Sequence, residues 1–194
     1  VCLSNALKVP LRESNANVIF LSNHGIIAGS NSANDVFSII KNISQKLFLG
    51  ELEKKIIDFS KIDKYLFNKK YKLPEYEYVH QIAFSYKYSQ MATKGIIFPD
   101  QIVFLENGIR YINNYDEFIK ICNLEDNKLP ILIIKNVGVL VPKCLKEVSE
   151  DILLGLFMTI LRIPQNNPIS YLNNSDIKDI INWDMEKHRQ MMNK

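Results

Sequence analysis

Two stretches of the chain share one pattern of apolar and polar positions. The first, at residues 18–29, reads VIFLSNHGIIAG. A continuous apolar run is typical of a strand that is covered on both faces, and here it ends abruptly at polar residues and a glycine. A second apolar run follows, and apolar residues then recur at helical spacing, at Val36, Ile39, Ile40, Ile43 and Leu47. The pattern predicts a strand, a turn, a second strand and a helix.

The second stretch, ILIIKNVGVLV at residues 131–141, matches the first position for position. Asn136 and Gly138 take the places of Asn23 and Gly25, and a helical pattern follows here as well. Such a strand, turn and strand can coincide by chance. Because the following helix matches too, we interpret the two stretches as a diverged, degenerate repeat.

The two stretches differ at the residue between the asparagine and the glycine. This residue is His24 in the first stretch and Val137 in the second. A valine cannot bind a metal ion, so we expect the second unit to be a scaffold or an interface without a metal ligand.

Residues 1–72 are predicted to form the first domain. Helical spacing extends over residues 34–67 with breaks near Gly50 and Ser60, whereas Pro10 is expected to interrupt any helix at the start of the chain. These elements predict an α/β fold, a layered sheet flanked by helices.

Residues 73–194 are predicted to form a second, smaller α/β unit after a basic linker at 69–74. Apolar residues at 96–105 are interpreted as a strand that turns at Asn107 and Gly108 into a hairpin. Helices are predicted at residues 115–122 and at residues 144–162.

Composition and charge exclude several classes of function. The 194 residues are 47% hydrophobic and carry a formal net charge of only +3, which does not indicate a nucleic-acid partner. No apolar run reaches the ~18 residues of a membrane span. The cysteines Cys2, Cys122 and Cys144 are odd in number and far apart, which favours buried thiols in a reducing, cytoplasmic setting.

His24 is the first candidate functional residue, because it follows a buried strand at its carboxyl end. Ligands of α/β proteins gather at such ends, where a rigid element holds side chains that still reach solvent. Gly25 permits a positive φ beside it. A strand-end histidine can also simply bond a carbonyl, and one histidine is not a metal site, since catalytic zinc usually has three protein ligands.

The other two histidines are interpreted as structural. His80 has no partner at the spacing of a metal motif and is expected to be a packing residue. His188 is predicted near the end of an amphipathic C-terminal helix, where the partial negative charge favours its cation.

The segment LSNHGIIAG, followed by a helix, resembles the Asn/His-His-Gly segment of the class II aldolase/adducin family. Two further segments are similar to rhamnulose-phosphate-aldolase-like members: Phe98-Pro99-Asp100, and a W-x-x-E-x-x-R ending at Trp183 to Arg189. Pro99 and Asp100 could equally be a plain turn, and Trp183 and Arg189 a subunit contact.

The resemblance implies that His24 is the third ligand of a divalent metal, most plausibly zinc, with Asn23 and Gly25 as the supporting turn. In the family the other ligands are an upstream His-x-His pair, and a glutamate base precedes them. The sequence contains no His-x-His. We therefore expect it to begin downstream of those motifs, and its own catalytic residues are unknown.

The resemblance further implies a lyase that cleaves a carbon-carbon bond of a sugar or sugar phosphate through a metal-stabilised enediolate, in a homo-oligomer. The alternative is a non-catalytic, adducin-like interaction module. A nucleotide-binding domain is disfavoured because the chain lacks G-x-G-x-x-G and G-x-x-x-x-G-K-[ST], and a serine hydrolase because it lacks G-x-S-x-G. No organic cofactor, nucleic acid or membrane partner is expected.

Overall fold

The computed structural model describes residues 2–23, 25–48, 50–51 and 53–182. The chain divides into two compact units, Val1–Gly50 (unit 1) and Glu51–Lys194 (unit 2). Both contain helices and a small sheet, so the protein is of the mixed α/β class that the sequence predicted.

Unit 1 follows the predicted order of strand, turn, strand and helix. Its elements are α1 (Cys2–Ser14), β1 (Val18–Leu21), β2 (Gly25–Ala28) and α2 (Ala33–Lys46). The strands are antiparallel, with Val18 opposite Ala28 and Leu21 opposite Gly25. Ser32 caps α2, since its hydroxyl accepts a 3.1 Å hydrogen bond from the backbone N–H of Asp35.

The expectation for Pro10 is wrong, because α1 runs through it without a break. Proline removes one backbone donor and crowds the preceding turn, so it normally ends or kinks a helix.

Unit 2 is built on a four-stranded sheet in the order β3-β6-β5-β4. β4 and β5 are parallel, whereas β5–β6 and β3–β6 are antiparallel. The strands are β3 (Tyr71–Lys72), β4 (Ile109–Ile112), β5 (Ile131–Ile134) and β6 (Gly138–Pro142). The helices are α3 (Ser60–Leu66), α4 (Tyr86–Lys94), α5 (Pro99–Phe104), α6 (Tyr115–Cys122), α7 (Glu147–Arg162) and α8 (Asn174–Asn182), with 3₁₀ helices at Glu77–Phe84 and Asp126–Lys128.

Both faces of this sheet are buried under helices. Ile131 and Ile133 of β5 pack in one cluster with side chains of α4, α7 and the longer 3₁₀ helix. The alternate residues Leu132 and Ile134 pack in a second cluster with side chains of α3 and α6. A continuous apolar run therefore fits β5, because both sets of alternating side chains enter a core. The predicted helices at 115–122 and 144–162 correspond to α6 and, three residues shorter at its start, α7.

The predicted hairpin, a strand at 96–105 that turns at Asn107 and Gly108 into a second strand at 109–112, is wrong. Residues 99–104 form α5, with Pro99 in the first turn and Asp100 beside it. Both residue types favour a helix start. Gly108, at φ +71°, turns the chain into β4, which pairs with β5 in parallel rather than folding back on residues 96–105.

The division between the units lies at Gly50, earlier than the linker predicted at 69–74. That segment is part of unit 2, since Tyr71 and Lys72 form β3 and lie opposite Pro142 and Val141 of β6. Because β3 has only two residues, its apolar run is too short to predict a strand from the sequence. The assignment of 1–72 to the C-terminal part of a class II aldolase-like domain, and of 73–194 to a second α/β unit without a metal ligand, stays a prediction.

The predicted C-terminal helix is described as far as Asn182. Asn173 caps it, because its side-chain oxygen accepts hydrogen bonds from the N–H groups of Ser175 and Asp176. Trp183, His188 and Arg189 lie outside the described residues. Within the described part of the chain, no helix combines the length and the apolar character needed to cross a membrane.

Candidate functional site

The turn between β1 and β2 has two residues with positive φ. Asn23 is at φ +60° and Gly25 at φ +99°. Asparagine and glycine are the residues that most readily adopt these angles. The hydroxyl of Ser22 donates a 2.9 Å hydrogen bond to the side-chain oxygen of Asn23. Asn23 and Gly25 therefore lie at the tip of the hairpin, and their support of a metal ligand stays a prediction. His24, the candidate ligand between them, lies outside the described residues.

The turn between β5 and β6 has the same backbone form. Asn136 is at φ +54°, and Gly138 follows at φ +159°. Ile134 lies opposite Gly138, just as Leu21 lies opposite Gly25 in unit 1. The two hairpins thus share their sequence pattern, their register and the left-handed asparagine of their turns.

His80, which lies outside the hairpin, accepts a hydrogen bond from the second turn. The backbone N–H of Val139 donates a 2.9 Å hydrogen bond to Nδ1 of His80. A Cβ atom on Gly138 would lie 2.6 Å from the same nitrogen, so only glycine allows this approach. The ring of Phe59 packs edge-on against the imidazole, with 5.8 Å between ring centroids.

This environment keeps His80 neutral and structural. The side chain is 1% exposed, and burial lowers its pKa from 6.5 to about 4. Since Nδ1 accepts from Val139, it is not available to a metal ion. The structure thus places His80 in the core, which agrees with its interpretation as a packing residue.

The ligand set implied by the resemblance is not completed by the described residues. Among them, no group of three or more His, Cys, Asp or Glu side chains is placed to hold a metal ion. The whole chain has three histidines, of which His80 is committed to Val139. The described residues therefore do not test whether His24 binds a divalent ion.

Unit 2 contains a buried carboxylate that the sequence analysis did not single out. Glu150 is 1% exposed, and its oxygens bond to Nζ of Lys72 and to the backbone N–H of Glu75, each at 2.6 Å. The pair fastens the segment after β3 to the first turn of α7. A signal was present, because Glu150 precedes Leu153 and Phe157 on the apolar face of α7, where a charge must be paired.

A second carboxylate contact lies beside this pair at the surface. The hydroxyl of Tyr76 donates a 2.5 Å hydrogen bond to Asp151, which raises the pKa of the tyrosine to about 12. Both contacts tie the same segment to α7, and neither forms part of a metal-binding cluster within the described residues. We interpret them as structural.

The cysteines meet the prediction in part. Cys122 is buried, and burial raises the pKa of its thiol, which makes it less reactive. Cys144 is exposed, contrary to the expectation of a buried thiol, because it lies in the loop between β6 and α7. Its sulfur lies 3.5 Å from the carbonyl oxygen of Asp126.

Comparison with protein-family models, with curated proteins and with solved structures finds no match to this chain.

Proposed function

We propose that unit 1 supplies one metal-ligand turn of a class II aldolase-like lyase, a divalent-metal-dependent enzyme that cleaves a carbon-carbon bond of a sugar or sugar phosphate. The observation that carries the proposal is the turn after β1. Asn23 and Gly25 adopt positive φ there, in the order of strand, turn, strand and helix that the resemblance to the aldolase family requires.

A turn of this kind suits a metal ligand. A two-stranded antiparallel ladder holds both ends of the turn, with Leu21 opposite Gly25. A ligand fixed by a short, tight turn is oriented before the ion binds, so less conformational entropy is lost on binding. Within the repeat only the first turn carries a histidine, since Val137 occupies the corresponding position in the second.

In the proposed reaction, this chain holds and orients the metal ion through one ligand. His24 would donate one imidazole nitrogen, and the remaining ligands and the base would come from polypeptide outside these residues. A divalent ion at such a site, most plausibly zinc, supplies Lewis-acid polarisation of a carbonyl group. We further propose a cytoplasmic homo-oligomer, as in the family that the sequence resembles.

A second candidate function is a non-catalytic interaction module. It is favoured by the large apolar side chains that unit 1 exposes, among them the cross-strand partners Phe20 and Ile26 on one face of the hairpin, and Phe37 on α2. Exposed apolar residues that lie close together are typical of interaction surfaces. An incomplete ligand set would be the natural state of such a module.

The test that separates the two functions uses the protein as its own cells produce it. Its intact mass, N-terminal sequence and metal content are measured for the wild type, for His24→Ala and for the control His188→Ala. The lyase proposal expects a polypeptide with a His-x-His pair that binds one divalent ion per subunit and loses it only in His24→Ala.

Two results would contradict the lyase proposal. One is a natural polypeptide that starts at Val1 and binds no metal, which would favour the interaction module. The other is measurable aldol cleavage by the isolated 194-residue chain, because one histidine ligand cannot hold a catalytic ion at useful affinity.

A further inference from the structure

Residues 53–58, EKKIID, form a strap that lies against the longer 3₁₀ helix of unit 2. They belong to no helix or strand, and of the six only Ile57 is buried. Its side chain joins the cluster that side chains of α3 and α6 form on one face of the sheet. Ile56, by contrast, is 96% exposed. The strap therefore contributes one anchor to the core, and its other side chains lie at the surface.

The side chain of Gln81 holds the backbone of the strap at Lys55. Its oxygen accepts a 2.8 Å hydrogen bond from the N–H of Lys55, and its nitrogen donates a 2.9 Å bond to the carbonyl oxygen of the same residue. A residue whose N–H and C=O bond to one partner resembles the paired residue of an antiparallel ladder. The strap is therefore extended at Lys55, and Gln81 binds groups that every residue except proline has.

Two lysines of the strap lie over aromatic rings of the same 3₁₀ helix. Nζ of Lys54 is 5.6 Å from the centre of the Tyr78 ring, and Nζ of Lys55 is 5.8 Å from that of Phe84. Such cation–π contacts are favourable but weak at exposed sites. Together with the buried Ile57, these contacts specify two cations, one residue of any type and an aliphatic residue.

We propose that the surface of Tyr78, Gln81 and Phe84 is a binding site for extended peptides, and that the strap occupies it as an intramolecular ligand. The partner that fits this surface is a segment of another protein with the pattern Lys-Lys-x-Ile, because the strap itself shows which chemistry the surface accepts. Backbone hydrogen bonds and side-chain anchors are the general means by which extended peptides are recognised. The proposal does not depend on the lyase function, since it concerns different residues in a different unit.

The covalent connection makes the strap a strong competitor. A tethered ligand has an effective concentration in the millimolar range. A free peptide with the same contacts must therefore reach millimolar concentration before it displaces the strap of the wild-type chain. A variant with a weaker strap should bind the peptide more tightly, by the factor by which docking of the strap decreases.

The experiment measures, by fluorescence anisotropy, the binding of a fluorescein-labelled peptide with the sequence of the strap, EKKIID. Lys55→Pro removes the N–H that donates to Gln81 and leaves the proposed surface unchanged. We expect this variant to bind the peptide about tenfold more tightly than the wild type does. Ile56→Pro is the matched control, because it adds the same ring at an exposed residue, and it should bind the peptide as the wild type does.

Changes to the peptide and to the surface test each contact in the Lys55→Pro background. Alanine at the peptide position equivalent to Ile57 should weaken binding at least tenfold, whereas alanine at the position of Ile56 should change nothing. Glutamine in place of both peptide lysines should weaken binding about fivefold. Gln81→Ala should weaken it about tenfold, because both backbone contacts are lost. Far-UV circular dichroism verifies that each variant folds.

Amide hydrogen exchange in the wild-type chain gives a readout that needs no variant. The N–H of Lys55 should be protected, because it donates to Gln81. Millimolar unlabelled EKKIID should make its exchange faster, since the peptide displaces the strap. A peptide with proline at the position of Lys55 should have no effect.

Four results would overturn the proposal. The first is a folded Lys55→Pro chain that binds the peptide no better than Ile56→Pro does. The second is peptide binding that Gln81→Ala leaves unchanged, because the peptide would then lie elsewhere. The third is an exchange rate at Lys55 that millimolar peptide does not alter. The fourth is a wild-type dimer in sedimentation velocity that Lys55→Pro abolishes, since the occupant would then be the strap of a second copy.

Discussion

The two hairpins share their register and their left-handed asparagine, but one hairpin is buried and the other is not. In unit 2, β5 and β6 are entirely buried, whereas β1 and β2 in unit 1 contain no buried residue. Phe20 of β1 is 64% exposed, and its counterpart in the repeat, Ile133, is 0% exposed. An apolar strand, an asparagine and a glycine therefore suffice to form this hairpin, but they do not determine what covers it.

The helices that follow the hairpins differ in the same way. Phe37 of α2 is 71% exposed, whereas Glu150 at the corresponding position of α7 is 1% exposed and paired with Lys72. Burial here follows the neighbouring elements rather than the residue type. α7 packs against α4, α5 and the longer 3₁₀ helix, and α2 contacts β2.

The largest expected difference comes from truncating matched core positions. Leu140 of β6 and Ile27 of β2 correspond in the repeat, and Leu140 is buried while Ile27 is exposed. Leu140→Ala should lower the free energy of unfolding by about 3–4 kcal/mol, because it leaves a cavity in unit 2. Ile27→Ala should cost less than about 1 kcal/mol. Chemical denaturation followed by far-UV circular dichroism measures both, and equal losses would contradict the comparison.

Acid should destabilise the second hairpin through His80. Its folded pKa of about 4 lies below the ordinary 6.5, so the unfolded chain binds a proton that the folded chain does not. The free energy of unfolding should therefore fall by on the order of 3 kcal/mol as the pH decreases from 6.5 to 4, with no contribution from His80 above 6.5. Denaturation at several pH values measures this slope.

The control for the acid effect is His80→Asn, which retains a side-chain acceptor for Val139 but does not titrate. Carboxylates that titrate near pH 4 affect both proteins, so the difference between them isolates the histidine. A variant with the same pH slope as the wild type would show that His80 is not the cause.

The two turn glycines should respond differently to alanine. Gly138→Ala should cost about 2 kcal/mol, because the new methyl group would overlap the buried ring of His80. At Gly25 nothing lies within 4 Å of the added atom, so Gly25→Ala should cost only the strain of its positive φ, about 1 kcal/mol. Unfolding free energies of the two variants measure this, and a larger loss at Gly25 would reverse the ranking.

The smallest expected difference is between Glu150 and Phe37, which occupy corresponding positions of α7 and α2. Glu150→Gln should cost about 1 kcal/mol, because the side chain can still accept from Glu75 but loses its charge beside Lys72. Phe37→Gln should change the free energy of unfolding by less than about 0.5 kcal/mol, since the residue is exposed. A large loss for Phe37→Gln would indicate a partner that covers this face of α2 in solution.

The elements that the sequence predicted correctly are those specified by local pattern. Both hairpins and α7 follow from apolar runs, turn residues and helical spacing. The helix α5 was missed because its apolar residues also suit a strand. What fixes its start is a contact across a turn, a 2.9 Å hydrogen bond from the N–H of Ile97 to the side chain of Gln101.

The features of the candidate site also differ in whether the local sequence pattern predicts them. The turn of Asn23 and Gly25 was predictable, because positive φ selects these residue types. The hydrogen bond between His80 and the second turn was not predictable, since His80 and Val139 lie 59 residues apart in the sequence. Only the folded sheet places them side by side, and no spacing in the sequence reports it.

The pairing in the sheet of unit 2 also has a kinetic consequence. β5 and β6 are joined by a tight turn, whereas β3 pairs with β6 across an interval from Tyr71 to Pro142. Local hairpins form within microseconds, and contacts between distant segments form more slowly. We therefore expect the hairpin to form early and β3 to join it late. The hairpin of unit 1 can form as early, but among the residues that the structure describes no third strand joins its sheet to slow its reopening.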